Sequence, residues 1–125
     1  MKKDPKTEEA IRAFRTYARL GLCREESSLG IVCRIRGICG DSAALDMLAV
    51  CDTMRMLAVL GRKEVISAVV KVYFCAPSVR IYTNEMSYRV RRVADELHCD
   101  ERTLYRWLFE ARTLWRRFRE LKHPF

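Results

Sequence analysis

Between Lys6 and Leu22 the apolar residues Ile11, Phe14, Ala18 and Leu22 fall at helical spacing with Tyr17 beside them, and arginines and Glu8-Glu9 take the other side. That pattern predicts an amphipathic helix. Cys23 to Gly40 reads two ways: Ile31, Cys33 and Ile35 alternate as in a strand, while Leu29, Val32 and Ile35-Arg36 fit a helix interrupted by Gly30 and Gly37. A short helix is the expectation. From Ser42 to Leu60, Met47, Val50, Cys51, Met54, Leu57 and Ala58 form one stripe, and Leu45, Leu48, Met56, Val59 and Leu60 spread apolar surface around the rest. With Asp41 as N-cap and Gly61 as stop, this predicts a helix buried on several sides, either at the centre of a monomer or partly against a second copy. Glu64 to Cys75 is rich in β-branched residues, yet Val65, Ala68-Val69 and Val72 keep helical spacing. Ala76 to Tyr82 contains Pro77, has no period and is expected to be a loop.

The pattern sharpens from Thr83 onward. Met86, Val90, Val93 and Leu97 give one inward stripe on a helix that Thr83 can cap. That helix ends near His98-Cys99, after which Asp100 is placed to cap a second helix through the amide of Thr103, with Leu104 and Trp107 facing inward. The second helix can cross the first only where the residue of closest approach is small, and Ala94 occupies that place. Val93, Ala94, Leu97, Cys99, Leu104 and Trp107 thus supply the apolar anchors of a helix-turn-helix. Beyond Trp107, the series Leu104, Trp107, Ala111, Leu114, Phe118 and Leu121 continues the seam, with Trp115 flanking it. The last helix is therefore expected to be long, packing on the N-terminal helices or on a second copy.

The run Val93-Ala94-Asp95-Glu96-Leu97, then Asp100 to Leu108 and Ala111-Arg112, resembles the region 4 helix-turn-helix of bacterial RNA polymerase sigma factors. It is more similar still to small phage and prophage transcriptional regulators of the ArpU and RinA type. The resemblance covers roughly Glu64 to Leu121, with the Glu64 to Cys75 helix as the first of the module. Two departures stand out: the first motif helix is longer than usual, and His98 stands where the turn ordinarily has glycine. Residues before Gly61 do not resemble sigma region 2, so the resemblance implies a regulator rather than an autonomous sigma factor.

The expected architecture is all-α. An N-terminal helical region, residues 1–61, with core and possible dimerisation roles, packs on a C-terminal trihelical helix-turn-helix, residues 62–125, with an extended last helix. The formal net charge of +8 and a pI near 9.5 favour an anionic partner, and arginine, the commoner base here, binds phosphate and guanine bidentately. On the second motif helix the exposed positions are Glu101, Arg102, Thr103, Tyr105 and Arg106. Arg102 and Arg106 are the expected readers of guanine O6 and N7. Arg89, Arg91 and Arg92 on the preceding helix, with Thr103, are expected to contact phosphates, which fix register without carrying sequence information. Arg112, Arg116 and Arg119 fall on one line that could extend those contacts or remain solvated.

Other classes are disfavoured. Six cysteines sit singly with no C-x-x-C and no paired histidines, so free thiols are expected and no metal site or cofactor. There is no phosphate loop, no H-E-x-x-H and no G-x-S-x-G, and His98 and His123 lack triad-like company, so no catalytic residues are assigned and no enzyme is expected. No apolar run approaches the ~18 residues of a membrane span, and the basic N-terminus leads into Glu8-Glu9, so a cytoplasmic location without membrane contact is expected. The leading functional expectation is a sequence-specific regulator that binds double-stranded DNA, with RNA polymerase and a second copy as further partners. The alternatives are an adaptor or phage inhibitor acting on host RNA polymerase or another host complex, and a small terminase-type DNA-packaging protein.

Overall fold

In the computed structural model, residues 4–22, 28–75 and 83–122 are described, with side chains at all but 28, 38, 39 and 83–85. The fold is all-α: among these residues there are six helices, α1 (Pro5–Arg19), α2 (Ser28–Cys39), α3 (Asp41–Val59), α4 (Lys63–Val69), α5 (Thr83–Glu96) and α6 (Glu101–Glu120), and no strand. A π-helical turn, Val70–Phe74, continues α4. The loop expected at Ala76 to Tyr82 and the Thr83 cap lie outside the described residues, as do the side chains of Cys23, Cys39 and His123.

Helix α1 starts where Asp4 accepts a hydrogen bond from the Lys6 amide, at 3.0 Å, just before Pro5 at the first helical position. It buries Ala10, Ala13, Phe14 and Tyr17, a face turned slightly from the expected stripe: Ile11 is only partly covered. The helical alternative holds for Ser28–Cys39, where Ile31 and Ile35 are buried a turn apart against α3. Asp41 does not cap α3. Gly40, at φ 90°, is the cap residue and makes no side-chain bond, and Asp41 in the first turn instead accepts from Arg36 Nε at 2.7 Å across the corner.

Helix α3 is the centre of the molecule. It packs on α1, α2, α4 and α6, and buries residues on most of its circumference, from Ala44 and Leu45 through Val50 and Cys51 to Leu57. Its apolar surface is met within one chain, except for exposed Ala58, Val59 and Leu60 at the C-terminal end. Buried Thr53 satisfies its hydroxyl on the Ala49 carbonyl at 2.7 Å. Gly61, at φ 70°, then ends the helix as expected: its amide donates to Ala58 and the Arg62 amide to Leu57.

The widened turn after α4 lets Tyr73 and Phe74 meet α1. Tyr73 stacks on Phe14 at 5.6 Å between centroids, and Phe74 on Tyr17 at 5.7 Å. The N-terminal helices and the three that follow share one cluster of buried side chains. Helix α6 binds them together, packing on α1, α3, α4 and α5.

The centre of the α6 stripe differs from the expected seam. Leu104, Leu108, Ala111 and Trp115 are buried, Trp107, Leu114 and Phe118 are half-buried beside them, and Leu121 is exposed. Leu104–Trp107 and Leu104–Leu108 are both legitimate helical spacings, so pattern alone leaves the face undecided by about one residue's rotation.

Candidate nucleic-acid interface

Helices α5 and α6 are joined by Leu97, His98, Cys99 and Asp100. The turn is closed on both sides. At the end of α5, the His98 amide donates to the Asp95 carbonyl at 3.2 Å and the Cys99 amide to the Ala94 carbonyl at 3.0 Å, the two bonds of a Schellman turn. His98, at φ 56°, is the only non-glycine residue with positive φ among those described, and it holds the left-handed position that Gly61 takes after α3. At the start of α6, Asp100 Oδ1 accepts from the Thr103 amide at 2.7 Å, the cap expected from sequence. That bond, helped by the Thr103 hydroxyl and by the charges of Arg102 and Arg106, holds the Asp100 carboxyl below the usual carboxylate range.

Ala94 is buried, as are Val90, Val93 and Leu104, and Leu97, Cys99 and Trp107 complete the cluster from its edge. All six anchor positions thus meet, and a small residue stands where the two helices pack. Burial pushes the Cys99 thiol above its ordinary range, so it acts as an apolar filler rather than a thiolate.

The opposite face of α6 is open. Arg102, Tyr105, Arg106 and Phe109 recur one turn apart and are exposed. The side chains of Arg102 and Arg106 make no hydrogen bond or ion pair among the described residues. Arg92 is exposed as well and lies close enough to Glu96 to favour its ionised form, although Lys71 is the main cause, through a 2.6 Å bond. Arg91 is exposed and pairs with Glu101 at 3.2 Å across the turn, which places it beside the first turn of α6. Thr103 is half-buried and its amide is taken by Asp100.

Arg89 is placed differently from its neighbours. Its Nη1 donates to the carbonyls of Val72, at 2.9 Å, and Cys75, at 2.8 Å, tying α5 to the π-helical turn. Both carbonyls lie at the end of the helix, where the ladder runs out of amides, so the guanidinium is spent on the fold. Nearby, Arg15 has a lowered pKa, from burial first and then from the charges of Arg89 and Arg19.

The line Arg112, Arg116, Arg119 is also internal in its bonding. Arg112 donates to the Tyr73 hydroxyl at 2.8 Å, Arg116 to the Lys6 carbonyl at 2.7 Å and to Glu9, and Arg119 to Asp46 at 2.6 Å. Together with Lys122 on Asp52, they fasten the second half of α6 to α1, α3 and the π-helical turn. Spacing gave no sign of this, because the partners lie far away in sequence. Burial raises the Tyr73 pKa despite the opposing charge of Arg112.

Arg62 and Glu110 make a bidentate pair at 3.0 and 3.2 Å, which neutralises the one acid flanking the open face at that level of the helix and raises the Arg62 pKa. Sequence reasoning passed over Phe109 and Arg62. Phe109 would have emerged from extending the Arg102–Arg106 face by one more turn. Among the described residues, no group of histidine, cysteine and acidic side chains could hold a metal, and no helix is long and apolar enough to cross a membrane. The chain matches no protein-family model, no curated protein and no solved structure.

Proposed function

We propose that this chain is a sequence-specific, double-stranded-DNA-binding transcriptional regulator that lays the first half of α6 in the major groove. The observation that carries the reading is the open pair Arg102 and Arg106, exposed on a helix whose opposite face is buried and whose N-terminus is set by a capped turn against α5. In this reading the two arginines take guanine edges, while Arg91, Arg92 and the edge of Tyr105 meet the backbone. Arg89 is left out, since its guanidinium serves the π-helical turn. The net charge of +8 supplies sequence-independent attraction. The resemblance of residues 64–121 to sigma region 4 and to regulators of the ArpU and RinA type supports a phage or prophage origin, action in the cytoplasm and contact with RNA polymerase.

Selection of bound fragments from a random duplex pool, at several stated salt concentrations, tests this. The expected result is a recurring site whose retention falls steeply with salt. Failure to capture any duplex at low ionic strength overturns it.

A second reading, a protein adaptor or inhibitor acting on RNA polymerase, is favoured by the exposed aromatic side chains Tyr88, Tyr105 and Phe109. It predicts stable capture of the polymerase and no salt-sensitive retention of duplex DNA.

A further inference from the structure

Phe109 is 61% exposed, on the same face of α6 as Arg102 and Arg106. An exposed phenyl ring in water normally gains nothing from a fixed orientation, but this one is braced. The Arg112 guanidinium lies 5.9 Å from the ring centroid, within cation–π range, and is itself held by the Tyr73 hydroxyl at 2.8 Å. Tyr73 is buried and stacked on Phe14, so the brace runs from the core to the surface.

Resting on the DNA reading above, we propose that Phe109 is a specificity residue that packs against the C5-methyl group of a pyrimidine in the major groove, supplied by thymine or by 5-methylcytosine. The two arginines recognise acceptors, and neither can use an apolar group. In the major groove, base edges present one apolar feature, that methyl. Arg102 and Phe109 stand seven positions apart, about two helical turns and a rise of about 10 Å, comparable to the advance of about three base pairs along a duplex. A phenyl ring flanked by arginines also matches a polyanion better than an apolar protein surface, because docking on the latter would leave the guanidinium groups without partners.

The test starts from duplexes that the wild-type chain selects from a random pool. Each thymine in the recovered site is replaced singly by uracil, by cytosine and by 5-methylcytosine, and affinities are measured for the wild type and for Phe109→Ala. One thymine-to-uracil exchange is expected to weaken wild-type binding about fourfold, the worth of one buried methyl group. Phe109→Ala is expected to bind the thymine and uracil duplexes alike, with a melting temperature close to the parent's, because the ring is mostly exposed and only its contact with Arg112 is lost. Recovery of affinity by 5-methylcytosine over cytosine assigns the contact to the methyl alone, and recovery by thymine only assigns it to that base. Equal wild-type binding to every thymine and uracil duplex, or discrimination that persists in Phe109→Ala, overturns the proposal and leaves the DNA reading standing. If no duplex is selected at all, the DNA reading itself falls and this proposal with it.

Discussion

The indole Nε1 of Trp115 donates to the backbone carbonyl oxygen of Asp46 at 3.2 Å, and the Asp46 carboxylate accepts from Arg119 one turn further along α6 at 2.6 Å. One residue of α3 thus holds two consecutive turns of α6. The indole is fully buried, so its N–H needs that carbonyl, and the bond fixes how far α6 is rotated about its axis. Rotation decides which side chains face outward at Arg102 and Arg106, and so the internal anchor sets the external face.

Trp115→Ala is expected to cost ~3–5 kcal/mol, through the cavity left by the indole. Trp107→Ala, at a half-buried position, is expected to cost clearly less. Chemical denaturation of both variants checks this, and equal losses would place the packing centre at Trp107.

Arg102→Ala and Arg106→Ala are each expected to lower affinity for a selected site by the ~1–3 kcal/mol of a lost guanine contact, with melting temperatures near the parent's. Arg91→Ala is expected to weaken selected and unrelated duplexes by the same factor, the behaviour of a phosphate contact. Binding measured against both kinds of duplex distinguishes the two roles.

His98→Gly is expected to stabilise the chain by roughly 0.5–1 kcal/mol. The left-handed conformation costs an L-residue more than glycine's extra freedom costs in the unfolded state. Thermal melting reads the change, and a lower melting temperature would mean that the imidazole makes a compensating contact.

Asp100 has a folded-state pKa below its unfolded value, so the stability it contributes is fully present above the ordinary aspartate range and is lost as pH falls through about 4 and below. Glu96, held low first by its hydrogen bond to Lys71, has the same sign. Asp100→Asn keeps an acceptor for the Thr103 amide but does not titrate. Its melting temperature is expected to fall less steeply than the wild type's between about pH 6 and about pH 3, the span in which an ordinary carboxylate takes up its proton. Parallel curves would remove Asp100 from the acid response.

Much of the architecture was legible from residue order. Helical periodicity marked the other helices but left Cys23 to Gly40 open between strand and helix, and Gly61, Asp100 and Ala94 marked a stop, a cap and a crossing, because each acts through neighbours a few residues away. The open face of α6 was legible for a similar reason: Arg102 and Arg106 lie opposite Leu104 and Leu108 on any helix drawn through them. The exchange of Trp107 for Trp115 at the centre of the stripe was not legible, nor was the use of Gly40 instead of Asp41 at the start of α3.

The arginines show the division most clearly. Eight of those discussed, Arg89, Arg91, Arg92, Arg102, Arg106, Arg112, Arg116 and Arg119, look alike in the sequence as cations on helix faces. Folding sends Arg89 to two helix-end carbonyls, Arg112 to a tyrosine hydroxyl and Arg116 and Arg119 to carboxylates on α1 and α3, and leaves Arg102 and Arg106 outward. Helix formation and capping are local in sequence, so the amino-acid order alone determined them. The partner of a long, flexible cation is whichever acceptor the packed chain brings within about 3 Å, and only the tertiary structure could decide that.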